Sequence, residues 1–524
     1  MQRSTRSFSF LIKLVPALLL VAAADWLCDW KFGSWVGGFA LAWVVLLLLV
    51  RPALRRGPAL AASAVAAALA LVMADDPGPL AWAMFWAAVS MAALLPRTIR
   101  FDDAWRWALR LFAQAATGPL SPLVDLARLL HSRPSDGHLT LRSLAKMLAL
   151  PLIMTGLFVA LFAGANPLVE QALSSITPPS IGEMFFWLVV LAMVWPTLRP
   201  HRWPTRFRIP DAELTLPGGS TPSVLISLAL FNIVFAIENG LDIAFLWSGA
   251  PLPAGVSMTD YVHRGAYPLI VTALLAGIFV LGTLKPGSAT AANPMSRRLV
   301  VAWIAQNMLL VASSVLRTAE YVEESMLTPW RIAAFLWMGL VALGLGLICW
   351  RMLTGKSARW LINTNAGAAA IVLAFSTILD FNAMAATWNV RHAAEATGHG
   401  PKLDLCFLNL MGSPALLPLI ELEHKPLPND FRDRVRAVRR SILTGDGYPH
   451  DGMGLAATQA DWRRWTWRNQ RRLDEARSLL GAHPPLPAAM PKDAQRDCDG
   501  SIKLPPPPQP AEPASAPLTD GSDQ

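Results

Sequence analysis

SVLISLALFNIVFAIENGLDIAFLW, Ser223 to Trp247, is the stretch whose reading decides what kind of protein this is. The run is long and apolar enough to cross a bilayer, whose hydrocarbon core takes about 20 residues of helix. Yet it carries Asn232, Glu238, Asn239 and Asp242, which hydrocarbon rejects unless they face protein or water. At about 100° of rotation per residue, the four fall within an arc of roughly 120°. A polar stripe inside a membrane helix is therefore the main functional clue, and it names no substrate.

The rest of the chain repeats the apolar length without the same density of polar groups. Spans are expected at Phe8 to Ala24, Trp35 to Val50, Leu60 to Ala74, Leu80 to Leu95, Leu148 to Ala165 and Met184 to Leu198. After the polar helix come Ala266 to Leu284, Leu299 to Tyr321, a helix opening at Pro329 and running to Trp350, and Ala366 to Trp388. The chain is 54% hydrophobic and 15% charged, with a mean hydropathy of +0.40, against about 25% charged residues in a soluble domain. These features exclude a soluble fold and define an all-α class: a polytopic transmembrane helical bundle of about 11 spans with a small C-terminal extramembrane region.

The net charge of +9 sits mainly in short loops. RPALRR, Arg51 to Arg56, and RPHRWPTRFR, from Arg199, are basic, whereas DWLCDWK and ADDPGP are acidic or neutral. Because Lys and Arg favour the cytoplasmic side, the N-terminus is expected inside, and about 11 spans then put the C-terminus outside, in a bacterial inner membrane. The first apolar run is followed at once by others, so it reads as an uncleaved helix and not as a signal peptide. The basic loops mark topology and lipid contact; no nucleic-acid partner is expected.

The expected organisation is N-terminal transmembrane helices over 1–95, a cytoplasmic amphipathic connection over 96–147, and a main bundle over 148–390. A small helical extracytoplasmic region follows over 391–480, and a Pro-rich disordered tail over 481–524. In the connection, Arg106, Arg110, Arg128, Arg142 and Lys146 alternate with Trp and Leu, as in helices that lie in the interface. Cys28, Cys349, Cys406 and Cys498 lack metal-binding spacing. An external C-terminus would let Cys406 and Cys498 form a disulfide, although their spacing does not decide it.

The ninth span answers the seventh. Gln306, Ser313, Arg317, Glu320 and Glu324 share a face, and Arg317 and Glu320 stand at i,i+3, where side chains meet. Glu238, Asp242, Arg317 and Glu320 are expected to form one polar core between the two spans, since each lowers the cost of burying the others. Two readings of that core stay open: a salt bridge fastening two helices, and a water-lined path for a solute or proton. Tyr261, His263 and Arg264 precede the eighth span, and Asp380 and Asn382 lie near the outer end of the eleventh. Together with Asn232, Asn239 and Gln306 they complete the candidate polar core or path.

No P-loop, GxGxxG after a strand, HExxH or GxSxG occurs in the chain. No catalytic, cofactor-binding or metal residues are assigned, and a non-enzymatic role is favoured. Transport of a small solute or ion leads; a membrane scaffold or signal-input protein of the envelope, and a transferase acting on a lipid-linked substrate, stand as alternatives. The partners are the lipid bilayer and either an envelope protein or a small solute.

ENGLDIAFLWSGAPLPAGVSMTDYVHRGAYPLI resembles the bacterial domain-of-unknown-function family numbered 4173, where a polar helix leads through a Leu-Pro loop into Tyr-x-x-Arg-Gly, here Tyr261 to Gly265. YVEESMLTPWRIAAFLWM is similar to its segment carrying Tyr321, Leu327, Thr328 and Arg331, with Met326 where relatives have glycine. ILDFNAMAATWNV and LDLCFLNLMGSPALLPL resemble its last span and the unit beyond, with Asn382, Ala385 and Asn389 in matching places. The resemblance covers roughly 223–419 and implies an inner-membrane protein without an assigned reaction.

Overall fold

The computed structural model of the chain describes residues 4–98, 102–130, 141–166, 179–200, 220–248, 271, 272, 275, 279, 289–446, 453–491 and 494–503. They are almost wholly helical, and they divide into two compact units: Met1–Tyr321 with Trp330–Leu379 and Asp461–Arg468, and Val322–Pro329 with Asp380–Ala460 and Asn469–Gln524.

The first unit opens with α1 (Ser4–Cys28), α2 (Trp35–Val50), α3 (Gly57–Asp75) and α4 (Pro79–Leu94). Pro58 and Pro79 stand at the first turns of α3 and α4, where a missing N–H costs nothing. Small residues let these helices approach closely. A Cβ on Gly37 of α2 would lie 2.3 Å from the Ala74 backbone nitrogen of α3, so only glycine fits there. Two amphipathic helices follow, α5 (Ala104–Thr117) and α6 (Ser121–Leu130), then α7 (Leu141–Ala165) and α8 (Ile181–Leu198). α8 returns to α1, and its Trp195 joins Trp43, Phe85, Leu20 and Leu47 in one buried core. The Trp43 indole donates to Thr197 Oγ1 at 3.0 Å, which satisfies the polar atom that burial would otherwise strand.

α9 (Thr221–Asp242) continues into a π-helical turn, Ile243–Trp247, and α10 (Pro294–Ser325), α11 (Pro329–Thr354) and α12 (Ala358–Ile378) complete the long helices. Trp303 of α10 centres their core, with Phe231, Phe235 and Phe279 around it at ring separations of 5.2, 5.9 and 6.1 Å. The opposite side of α9 is exposed at Ile226, Leu230, Ile233, Val234 and Ile237, an apolar strip that suits acyl chains. α12 meets α5 through Asn363, which accepts the Ala104 N–H at 2.8 Å, and through the Arg359–Asp103 ion pair.

Asp461–Arg468 is also part of this unit. Its backbone accepts from Ser34 N at Trp465 (2.8 Å) and from the Trp35 indole at Arg463 (3.1 Å). Lys31 reaches Asp461 at 3.2 Å, and Arg468 spans Asp75 and Asp76 at 3.0 and 3.1 Å. Gly33 has no room for a Cβ, which would sit 2.6 Å from the Arg463 carbonyl. The segment thus straps the α1–α2 turn to the α3–α4 turn.

The second unit holds α13 (Phe381–His392), α14 (Leu405–Met411), α15 (Leu416–Glu423), α16 (Asn429–Thr444), α17 (Leu455–Ala460) and most of α18 (Trp467–Leu480). Leu405, Leu408, Leu416, Leu419, Ile420, Val435 and Val438 build its core. Buried Arg439 pairs with Glu423, and Cys406 is disulfide-bonded to Cys498. The segment expected to be disordered from 481 onward contains a short antiparallel hairpin, β1 (Gln495–Arg496) with β2 (Ile502–Lys503), beside that bridge. Cross-linking gives this part of a Pro-rich segment the order that its composition alone does not.

Among the described residues, seven helices are long and apolar enough to cross a membrane, or eight if the bent pair Leu405–Met411 and Ser413–Glu423 counts as one span, against the about 11 expected of the chain. That pair supplies core residues of the second unit, so its leucines are explained by packing. α2 is apolar but short. The expected eleventh span breaks at Leu379 and Asp380, where Asp380 caps α13 by accepting the Ala383 N–H at 2.9 Å, so Ala366 to Trp388 is not one helix. The expected eighth span, Ala266 to Leu284, lies almost wholly outside the described residues.

Candidate functional site: a polar seam between two parallel helices

The polar residues of α9 and α10 meet in a seam with a seven-residue repeat. Asn232 Nδ2 donates to the Leu299 carbonyl at 3.0 Å, and Asn232 Oδ1 accepts from Gln306 Nε2 at 2.9 Å. Seven residues along both helices, Asn239 Nδ2 donates to the Gln306 carbonyl at 3.2 Å. Seven further on α10, Ser313 Oγ accepts from the Trp247 indole at 3.0 Å. Matching advances in both numbers mean that the helices run parallel, and a heptad keeps such a seam facing its partner.

Each asparagine serves its own helix as well, Asn232 donating to Leu228 O at 2.7 Å and Asn239 to Phe235 O at 2.9 Å. At the end of the seam Arg317 donates to Asp242, both buried, with side-chain exposures of 8% and 2%. Asp242 is the last residue before the π-helical turn. That wider turn swings Trp247 round to Ser313, a displacement that π-bulges commonly produce. Asn239 Oδ1 and Gln306 Oε1 receive no hydrogen bond among the described residues.

The expected core is therefore brought together in part. Asn232, Asn239, Asp242, Gln306 and Arg317 converge. Glu238 is exposed on another side of α9, one residue from buried Asn239, and does not join the seam. Arg317 crosses to Asp242 on the neighbouring helix, and Glu320, half-buried, lies one turn beyond it. Glu324 is exposed. Asp380 and Asn382 belong to the second unit, where Asp380 pairs with Arg472 and Asn382 is exposed. Tyr261, His263 and Arg264 lie outside the described residues.

Residue-by-residue reading missed Trp247, whose apolar bulk hid its part in the seam. The seven-residue step from Asn232 to Asn239 leads on to Leu246, and the π-helical turn moves the contact one residue further, so no sequence signal marked Trp247. Asn389, in the second unit, was noted only for its place in a resemblance. It brackets Leu327, donating to its carbonyl at 2.9 Å and accepting its N–H at 2.7 Å. Nearby Met326 adopts a left-handed φ of 68°, a conformation in which glycine is unstrained.

Chemically the seam offers amides, an indole, a hydroxyl and one ion pair. No group of three His, Cys, Asp or Glu able to hold a metal occurs among the described residues. A cavity of about 160 Å³ in the second unit is lined by Gly412, Ser441, Gly445, Leu455 and others, none of the described lining residues being charged.

Fold and seam together define a multi-span helical membrane protein. The chain belongs to the family described as Domain of unknown function (DUF4153), whose model matches residues 59–422. Neither a curated protein nor a solved structure matches the chain. The family match corrects the resemblance to family 4173. Short turns and mixed apolar helices recur among unrelated membrane proteins because lipid narrows the choice of residues, whereas the match takes in α3, α4 and α8, where that resemblance was weaker.

Proposed function

We propose that this protein is a membrane scaffold of the bacterial cell envelope, its helices anchoring an extracytoplasmic second unit that engages an envelope partner. The carrying observation is that the strongest polar groups of α9 and α10 bond to each other: Asp242 to Arg317, Asn232 to Gln306, Trp247 to Ser313. A conducting path would present such groups to water, and a transferase would converge them on a cavity. Two features support the orientation. The strap Asp461–Arg468 lies at the acidic end of α1 to α4, opposite basic Arg51, Arg55 and Arg56. The Cys406–Cys498 bridge suits an oxidising compartment.

The test compares metabolites, lipids and envelope stress in a deletion strain carrying the full chain or its variants. Asp242→Leu with Arg317→Leu should restore the wild-type profile, with Asp242→Asn and Arg317→Gln as a second pair should the first insert poorly. A pair that inserts and stays monodisperse yet fails to restore the profile would move the assignment to solute or proton conduction. The amide oxygens of Asn239 and Gln306 are the observation favouring that second reading. In spheroplasts, an impermeant maleimide should label Cys406 and Cys498 only after reduction; labelling only after lysis would place the second unit inside.

A further inference from the structure

Four cations from four different parts of the first unit gather at the C-terminal end of α8. Arg51, just past α2, donates to the Thr197 carbonyl at 2.8 Å and to the Ala93 carbonyl at 3.0 Å. Arg97, just past α4, donates to the Pro200 carbonyl. Arg199 follows the last residue of α8, and Lys13 of α1 is near enough that Arg51, Arg199, Arg97 and the Asp125 carboxylate all act on its charge. Carbonyls at a helix C-terminus carry partial negative charge, which accounts for the three arginine bonds.

The carbonyls do not account for the charge balance. Buried Asp125 accepts the Trp195 indole at 3.1 Å and pairs with Arg199 at 3.3 Å and Arg128 at 3.7 Å. No described carboxylate forms an ion pair with Lys13 or Arg51. Burial, with Arg97 beside it, pulls Arg51 down to about 10, so it stays a cation at neutral pH.

Depth places the cluster at the lipid headgroups. Measured from the opposite ends of their helices at 1.5 Å per residue, Lys13, Arg51, Arg97 and Arg199 all lie at about 22–27 Å, close to the thickness of the hydrocarbon core. The amphipathic helices run at the same level: Gly118, between α5 and α6, packs on Pro196 of α8, and Trp105, Phe112 and Leu123 are exposed. Basic recesses between helices at this depth bind anionic headgroups.

We propose that Lys13, Arg51, Arg97 and Arg199 form a binding site for the phosphate of an anionic phospholipid headgroup. The site is independent of the scaffold reading and of which leaflet it faces. A lysine stem is long enough to carry the Lys13 ammonium toward the headgroup level while its methylenes stay in apolar surroundings.

The test uses the delipidated full chain in detergent, read by native mass spectrometry and by thermal unfolding. Phosphatidylglycerol and cardiolipin should remain bound and raise the unfolding midpoint, whereas phosphatidylcholine should not. Lys13→Gln and Arg97→Gln should each weaken retention about fivefold with the protein still monodisperse, and Lys356→Gln, an exposed cation elsewhere, should leave it unchanged. Equal retention of phosphatidylcholine, or unchanged retention in both Lys13→Gln and Arg97→Gln, would overturn the proposal. Inorganic phosphate alone raising the midpoint as much as the lipid would replace it with a soluble-anion site.

Discussion

α2 and α3 approach each other through a glycine, whereas α9 and α10 are joined by side-chain hydrogen bonds and an ion pair. The first contact works by removing atoms: without a Cβ at Gly37 the backbones come together and gain dispersion contacts along their length. The second works by supplying atoms, with Asn232, Asn239, Asp242, Gln306, Ser313 and Arg317 each finding a partner across the seam. Water drives neither association, because lipid is as apolar as the helix surface. One kind of contact is therefore sensitive to volume and the other to losing half of a pair.

The largest effect should come from Arg317→Leu. It removes the guanidinium paired with the Asp242 carboxylate, 2% exposed, at a cost of about 3–5 kcal/mol, and the yield of monodisperse protein should fall sharply. Asp242→Leu in the same chain should recover part of the loss; additive losses would mean that the two do not act as a pair. Gly37→Val should follow at roughly 1–3 kcal/mol, since the nearest atoms are backbone and cannot rotate away. A normal melting midpoint for Gly37→Val would show that α2 and α3 are farther apart than described.

Smaller still, Asn239→Leu should cost about 0.6–1.7 kcal/mol, the range of interhelical hydrogen bonds in membranes. Thermal unfolding of Asn239→Leu, with Val234→Leu on the lipid-facing strip as control, separates loss of the seam bond from a change in hydrophobicity. The smallest effect concerns the strap. The Arg463 N–H, aided by Lys31, holds the Asp461 carboxyl below its ordinary range. A depressed folded value adds stability above the unfolded value and loses it as pH falls through the folded one. Unfolding midpoints should thus hold from pH 7 to about 5 and decline below about 4, with that decline shallower in Asp461→Asn. Identical profiles for the two proteins would remove Asp461 from the strap's stability.

Composition and apolar length were sufficient for the membrane class, because burial in lipid demands long helices with few charges whatever their arrangement. The polar stripe was equally legible at Asn232, Asn239 and Asp242, since no lipid-facing position tolerates such a set. Periodicity did not separate Glu238 from Asn239: adjacent residues lie about 100° apart, and only the neighbour's position decides which side is buried. The pairing of Arg317 with Asp242, the strap formed by Asp461–Arg468, the pairing of Cys406 with Cys498 and the convergence of Lys13, Arg51, Arg97 and Arg199 join residues far apart in the chain. Such contacts depend on how helices are placed in three dimensions, which local pattern does not encode. Sequence by itself determined that helices cross a membrane and that one of them carries polar groups; tertiary structure alone decided which groups meet, because pairing energy falls away within a few ångströms while a helix leaves every direction around its axis open.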